Sequence, residues 1–285
     1  CEHHDICGGC RLQHLSESVQ IAEKEKLMLD VLTRIGHVTP DEVLPALFEK
    51  SPWAYRNRAR LSVNVVPKKQ RVLVGFREKY NPRYVADIKQ CNILHQAVGQ
   101  HLMDLSELIG QLSEPKSVPQ IEVAAAENAI ALVFRHLTPL SESDKALLDA
   151  FAKQFSYRIY LQPKGIDSIH LLNSADDNIL YYSLPAFNLQ FSFYPGDFTQ
   201  VNARLNEKMV DQAIALLDIV PDDIVLDLFC GLGNFSLPLA TLCKQVVGDE
   251  GSQAMVVRAR ENAANNGLSN TEFHAADLTD KYALE

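Results

Sequence analysis

LDLFCGLGNFSLPLA, residues 226–240, decides how this chain is read. An apolar run leads through Asp227 to Gly231 and Gly233, and a second apolar run follows at once. Glycines at a strand-to-helix turn let backbone approach a ligand closely, and the helix starting there offers it free N–H groups. Nineteen residues after Gly231, Glu250 closes the next strand-like run, QVVGDE at 245–250. A carboxylate in that place can take both hydroxyls of a ribose. The third glycine of a G-x-G-x-x-G fingerprint is replaced by Ser236, which argues against a nicotinamide cofactor. A tight turn that binds nothing is the bland alternative. The strand, turn, helix and acid standing in order make it the weaker one.

Working outward, VNARLNEKMVDQAIALLDIV (201–220) has the pattern of an amphipathic helix and DIVLDLF (223–229) that of a buried strand. QVVGDE, a helix ending at Gly267 and a strand in TEFHAADL (271–278) follow. Alternating helix and strand predict an α/β doubly wound parallel sheet, of which three strands are recognisable after Pro195. Residues 1–194 predict a central α+β domain instead, and 195–285 the start of the sheet domain. A helix runs from an N-cap at Ser16 or Ser18 to Gly36. ARLSVNVV and QRVLVGFRE read as a hairpin around PKKQ (67–70). Helices near 94–113 and 141–154 and strands in QIEVAAAE, AIALVFRH, YRIYLQ, SIHLLN and LQFSFYP complete the pattern.

At 285 residues, 47% hydrophobic and 22% charged, the composition is that of a folded chain of about two domains. No apolar run is long enough to cross a membrane and no signal peptide is visible, so no membrane partner and a cytoplasmic location are expected. A monomer is expected. The chain opens on Cys1 rather than Met, which suggests that sequence precedes it. The formal net charge is −9, yet from Ser51 to Cys91 ten Lys or Arg face only Glu78 and Asp87. A basic stretch inside an acidic chain suits one face meeting phosphate, or else is a solvated surface. Arg56, Arg58 and Arg60 alternate along a predicted strand and should share that face, with Trp53 and Tyr55 either stacking on bases or packing inward.

Three of the six cysteines, Cys1, Cys7 and Cys10, lie within ten residues, and Cys91 is the next along the chain. Disulfides are unexpected in an intracellular chain of this size. Zinc with a histidine from His3, His4 or His14, or a four-thiolate iron–sulfur cluster, suits these residue types, and spacing does not separate them. Cys230 and Cys243 read as small core residues.

D-x-F-C-G-x-G-N-F resembles motif I of class I S-adenosylmethionine-dependent methyltransferases. CGGCRLQH, WAYRNRARLSV, GFREK, DIKQC, DFTQVNARLNEKMV and LDLFCGLGNFSLPLA occur in the order found in RNA uracil-5-methyltransferases, and nearly the whole chain resembles that family. The cysteine set favours the branch that methylates a uridine of 23S ribosomal RNA over its tRNA-methylating relatives. The resemblance implies S-adenosyl-L-methionine as cofactor and a [4Fe–4S] cluster on Cys1, Cys7, Cys10 and Cys91, with zinc as the alternative. It assigns cofactor contacts to Gln200, Phe229, Gly231, Gly233, Asn234, Glu250 and Asp277. It also implies a cysteine thiolate that adds to carbon 6 of uracil, so that carbon 5 attacks the cofactor methyl group. That nucleophile is expected beyond Glu285, and an RNA-binding barrel before Cys1. The chain is therefore expected to be a truncated methyltransferase, inactive by itself. Two further readings stand beside it: a non-catalytic iron–sulfur RNA-binding module, and a methyltransferase acting on tRNA.

Overall fold

The computed structural model describes residues 1–174 and 178–278. The chain opens in a cysteine-bearing loop and a helix, α1 (Glu17–Arg34), which Ser16 precedes as N-cap. The expected hairpin forms from β1 (Arg58–Val66) and β2 (Arg71–Gly75), antiparallel with Val63 opposite Val74. PKKQ closes it through a short 3₁₀ turn, with Gln70 left-handed at φ 50°. The single helix expected near 94–113 is two, α2 (Gln96–Gly99) and α3 (Leu102–Gln111). They are followed by β3 (Gln120–Ala125), β4 (Ile130–Arg135), α4 (Glu142–Phe155), β5 (Tyr157–Gln162) and the short β6 (His170–Leu171). These strands make one sheet in the order β2-β1-β3-β4-β5-β6, antiparallel except for the β4–β5 pair. α4 supplies that pair's crossover, as parallel neighbours require. Leu61, Ile121, Leu132, Phe134 and Leu148 are fully buried in the first core, which α3 and α4 cover.

α4 begins with a complete capping box. Asp144 accepts hydrogen bonds from the Ser141 N–H at 3.1 Å and, from a neighbouring turn, the Ser113 N–H at 2.7 Å. Burial alone would raise its pKa, but the hydrogen bonds from Ser113 and Ser141 outweigh that and hold the carboxyl below its ordinary value. The sign follows: a depressed folded pKa gives stability that is complete above the ordinary carboxylate range and is lost as pH falls through the folded value. Asp144→Ala is expected to lower unfolding free energy by about 1–3 kcal/mol at neutral pH. Urea melts at several pH values check this, and the variant's penalty shrinks in acid.

A hairpin of β7 (Leu180–Leu184) and β8 (Leu189–Phe193) leads to α5 (Ala203–Leu217). Then come β9 (Ile224–Leu228), α6 (Ser236–Ala240), β10 (Gln245–Glu250), α7 (Gln253–Asn265) and β11 (Thr271–Ala275). The last three strands are all parallel, in the order β11-β10-β9. The alternation after Pro195 thus folds as an α/β parallel sheet. A second core joins Val210, Leu237, Val246, Val256 and Phe273 to Leu180, Leu189, Phe191 and Phe193, so the hairpin packs with the α/β sheet. DIVLDLF carries an exposed apolar face, as expected of a sheet with few recognisable strands: Ile224, Leu226 and Leu228 are exposed, because β9 is the edge strand and no helix among the described residues covers that side. No helix among the described residues is long and apolar enough to cross a membrane.

Candidate cofactor site and cysteine loop

The loop after β9 turns through three left-handed residues, Phe229 (φ 60°), Gly231 (φ 58°) and Gly233 (φ 94°). It sits at the carboxyl ends of the parallel strands, where α/β sheets place their ligands. Glu250, ending β10, accepts from the Gly231 N–H at 3.0 Å through Oε2 and from the Ser252 N–H at 2.9 Å through Oε1. One carboxylate therefore braces both turns that border the site. Ala276, next to Asp277, donates its N–H to the Glu250 carbonyl at 3.0 Å and brings Asp277 to the same end of the sheet. Phe229, 66% exposed, offers its ring outward from the turn. Asp227 lies beneath, where burial raises its pKa, opposed by the Ser236 hydroxyl that donates to it at 2.5 Å. Ser236 thus uses its hydroxyl at the position a third glycine would occupy.

The Asn234 amide is spent inside the protein. It exchanges two hydrogen bonds with the buried Asn206 amide of α5, each 2.9 Å, and accepts a third from the Tyr182 hydroxyl at 2.8 Å. Its side chain therefore holds the loop to α5 and to the β7–β8 hairpin. Tyr182 and Asn206 also line a small cavity with Gln200, whose exposed side chain stands at the entry to α5. Sequence reasoning missed Tyr182 and Asn206. Asn206 carries a signal, a polar residue on the apolar stripe of α5; Tyr182 carries none.

The cysteine loop docks on the hairpin region by backbone pairing. Gly8 donates to the Arg77 carbonyl at 2.8 Å and Lys79 to the Ile6 carbonyl at 2.7 Å. The glycines of C-G-G-C are required by closeness: a Cβ on Gly8 would stand 2.8 Å from that carbonyl, and one on Gly9 would stand 2.8 Å from the Phe76 ring. Cys1, Cys7, Cys10 and Cys91 line one small cavity with Trp53 and Phe76. Burial raises the Cys7 and Cys10 thiols, and Cys91 nearby adds to it. Still, no three His, Cys, Asp or Glu among the described residues are arranged to hold a metal ion.

The three arginines do not share one outward face. Arg56 turns onto the cysteine loop, donating to the Gly9 and Arg58 carbonyls at 3.4 and 3.0 Å with its guanidinium over Phe76. Arg58 is largely enclosed, and burial lowers its pKa. Of the three, Arg60 is the exposed one, paired with Glu122 at 3.0 Å. For Arg56 the reason is register: the strand begins at Arg58, and Arg56 belongs to a bridge with Leu94. Lys69 and Arg71 both pair with Asp87. Exposed charge is left at Lys68, Arg83 and Lys89, and Tyr80 and Tyr84 are exposed on either side of Arg83 in the chain. The interleaved KYNPRY (79–84) was the legible sign of this surface.

The tRNA (Uracil-5-)-methyltransferase family model matches residues 18–281. The chain is 50% identical over 281 residues to the 23S rRNA (uracil(1939)-C(5))-methyltransferase RlmD of Legionella pneumophila (strain Lens), covering 98% of this chain and 63% of that protein. It is also 50% identical over 279 residues to the protein of the same name from Xanthomonas euvesicatoria pv. vesicatoria (strain 85-10), with 98% and 62% covered. It therefore spans less than two thirds of the length of these relatives. Among solved structures, the Pyrococcus abyssi tRNA (uracil-54, C5)-methyltransferase in complex with S-adenosyl-L-homocysteine superposes with TM-score 0.70, at 20% identity, covering 94% of this chain and 65% of that one. That likeness is one of fold: a mixed α/β methyltransferase architecture. With a family match across most of its length and half its residues shared with those relatives, the chain belongs to the tRNA (uracil-5-)-methyltransferase family.

Proposed function

We propose that this chain forms the central and cofactor-binding parts of an enzyme that methylates carbon 5 of a uridine in 23S ribosomal RNA, with S-adenosyl-L-methionine as methyl donor. The observation that carries this reading is the 50% identity, over 98% of the chain, to relatives bearing that activity in their names. The site chemistry supports it. Glu250 can take the ribose hydroxyls while holding Gly231, Phe229 can pack on the adenosine, and Asp277 can accept from the adenine amino group. Gln200 can face the methionine end. The enzyme is read as a cytoplasmic monomer. Mass spectrometry of 23S rRNA and tRNA from cells lacking the gene tests the proposal. Loss of one 5-methyluridine from 23S rRNA is expected; its loss from tRNA alone would favour the tRNA reading.

We read the chain as ending part-way through the methyltransferase sheet. The uncovered β9 edge, with Ile224, Leu226 and Leu228 exposed, suits the addition of further strands. The cysteines are read as ligands of a [4Fe–4S] cluster, for which four thiols around one largely apolar cavity are a suitable donor set. Zinc is the competing metal. Burial keeps the Cys7 and Cys10 thiols protonated, so a metal would have to displace their protons. Its contribution is read as structural, tying residues 1–10 to the segment after Cys91; methyl transfer needs no electrons. Iron and sulfide analysis after anaerobic reconstitution is expected to find iron, and Cys91→Ser to lose it.

RNA is proposed to meet the basic side of the hairpin region, through Arg83, Lys89 and Lys68, with Arg60 once released from Glu122. Arg56 and Arg58 are assigned to holding that surface in shape. Replacing Arg83 and Lys89 by alanine should weaken RNA binding uniformly across sequences and reduce the salt slope by about one for each phosphate no longer neutralised. Filter binding at several salt concentrations measures this; an unchanged slope would remove them from the interface.

A further inference from the structure

β8 pairs with β7 on one side, which leaves the backbone groups of its other side to be satisfied elsewhere. α7 satisfies them with side chains. Asn266 accepts from the Gln190 N–H at 2.9 Å and donates to the Gln190 carbonyl at 2.7 Å. One turn earlier, Asn262 accepts from the Ser192 N–H at 2.8 Å and donates to the Ser192 carbonyl at 3.1 Å. A further turn back, the Arg258 guanidinium lies 3.9 Å from the centre of the Tyr194 ring. The spacings explain the match: four residues of helix rise about 6.0 Å, and two residues of strand rise about 6.8 Å. Helix steps of four therefore follow strand steps of two, and the ladder reads R-x3-N-x3-N in the sequence.

Two rungs of this ladder do more than cover an edge. Asn262 is fully buried, and it also donates to the Leu232 carbonyl at 3.3 Å, between Gly231 and Gly233. A primary amide carries two donor hydrogens and an acceptor, and all are used here; a carboxylate would offer neither carbonyl a donor. Arg258 Nε donates to Asp197 Oδ2 at 3.2 Å, and the same oxygen accepts the Tyr194 N–H at 2.8 Å. The Asp197 N–H returns to the Tyr194 carbonyl at 2.9 Å, closing a turn that ends three residues before Gln200. Glu250 stands three residues ahead of α7 and accepts the Ser252 N–H at its start. The glycine turn, the approach to Gln200 and the acid are thus all tied to one helix. The side-chain bonds of Asn266 go instead to Gln190 and to the Asn262 carbonyl of its own helix.

We infer that Asn262 and Arg258 are positioning residues for the methyl donor: they set where the segment carrying Gln200 stands relative to the glycine turn. The inference rests on the reading of that turn as the S-adenosylmethionine site, with Gln200 at the methionine end. Loss of either residue loosens the grip on the amino-acid end of the donor and leaves the nucleoside end, assigned to Glu250, nearly as it was.

Calorimetric titration of the complete protein tests it, with S-adenosylhomocysteine and with 5′-methylthioadenosine, which keeps the nucleoside and the sulfur but lacks the amino acid. Asn262→Ala and Arg258→Met should each weaken S-adenosylhomocysteine about tenfold or more, the scale of one lost buried or charged hydrogen bond. Methylthioadenosine should lose far less. Arg258→Lys, which keeps a cation over the Tyr194 ring, should recover most of the affinity. Asn266→Ala, which gives up the same number of bonds to β8, should lower the thermal midpoint and leave both affinities unchanged. Arg258→Met keeps the methylene packing and carries the test if Asn262→Ala does not fold. Undiminished S-adenosylhomocysteine affinity in either folded variant, an equal loss on both ligands, or an equal loss in Asn266→Ala would overturn the inference alone. A wild-type protein that does not bind S-adenosylhomocysteine would overturn the cofactor reading, and the inference with it.

Discussion

Gly233→Ala is expected to eliminate detectable binding of S-adenosylhomocysteine, whereas Gly231→Ala only weakens it. Both glycines are left-handed, but their surroundings differ. A Cβ on Gly233 would stand 2.4 Å from Leu237 Cδ1, and Leu237 is fully buried in the second core. The φ of 94° adds strain that no relaxation of Leu237 relieves. Strain of about 1–3 kcal/mol and overpacking of about 1–3 kcal/mol fall together on the loop proposed to meet the cofactor. A total of a few kcal/mol corresponds to a loss on the order of a hundredfold or more in affinity. Around Gly231 nothing lies within 4 Å of the added carbon, so only its φ of 58° is penalised, at about 1–2 kcal/mol. Calorimetric titration of both variants measures the contrast. Equal losses would mean that conformation, not the clash with Leu237, governs the loop.

The second large effect is all-or-none. Mixed with 5-fluorouridine RNA and S-adenosylmethionine, the 285-residue chain should form no covalent adduct, and the complete protein should form one. The attacking group has to be a thiolate in reach of an unstacked uracil. Cys230, nearest the cofactor loop, is 5% exposed, and its thiol is pushed up to about 12 by burial, reinforced by Asp227 and Glu250. Cys243 is buried and its thiol is raised by the same cause. Cys1, Cys7, Cys10 and Cys91 are gathered around another cavity. Denaturing electrophoresis reads the result directly. An adduct on this chain that Cys230→Ala removes would make Cys230 the nucleophile.

Much of this was legible in the residues alone, for reasons that can be named. The turn of the candidate cofactor site was readable because its demands are local: positive φ at Gly231 and Gly233, an acid at the next strand end, and a helix starting at once. The β1–β2 hairpin was readable from two strand-like runs around PKKQ. The arginine face was not, since alternation along a strand says nothing about where the strand begins. Arg56 lies before β1, and its guanidinium is captured by Gly9, forty-seven residues away. β7 escaped because LYYSL has neither strict alternation nor flanking glycine, and it owes its place to pairing with β8. The Tyr182–Asn234–Asn206 network joins three elements distant in sequence, so only the folded chain reveals it.

If these residues serve methylation of uridine at carbon 5, methyl transfer by the complete protein is the decisive readout. The protein is incubated with 23S rRNA and methyl-labelled S-adenosylmethionine, and the RNA is digested to nucleosides. Label is expected in 5-methyluridine from 23S rRNA, reduced at least tenfold by Glu250→Ala, which removes the carboxylate bracing both turns. Label on another nucleoside would refute uridine methylation, and undiminished transfer by Glu250→Ala would refute the site assigned to it.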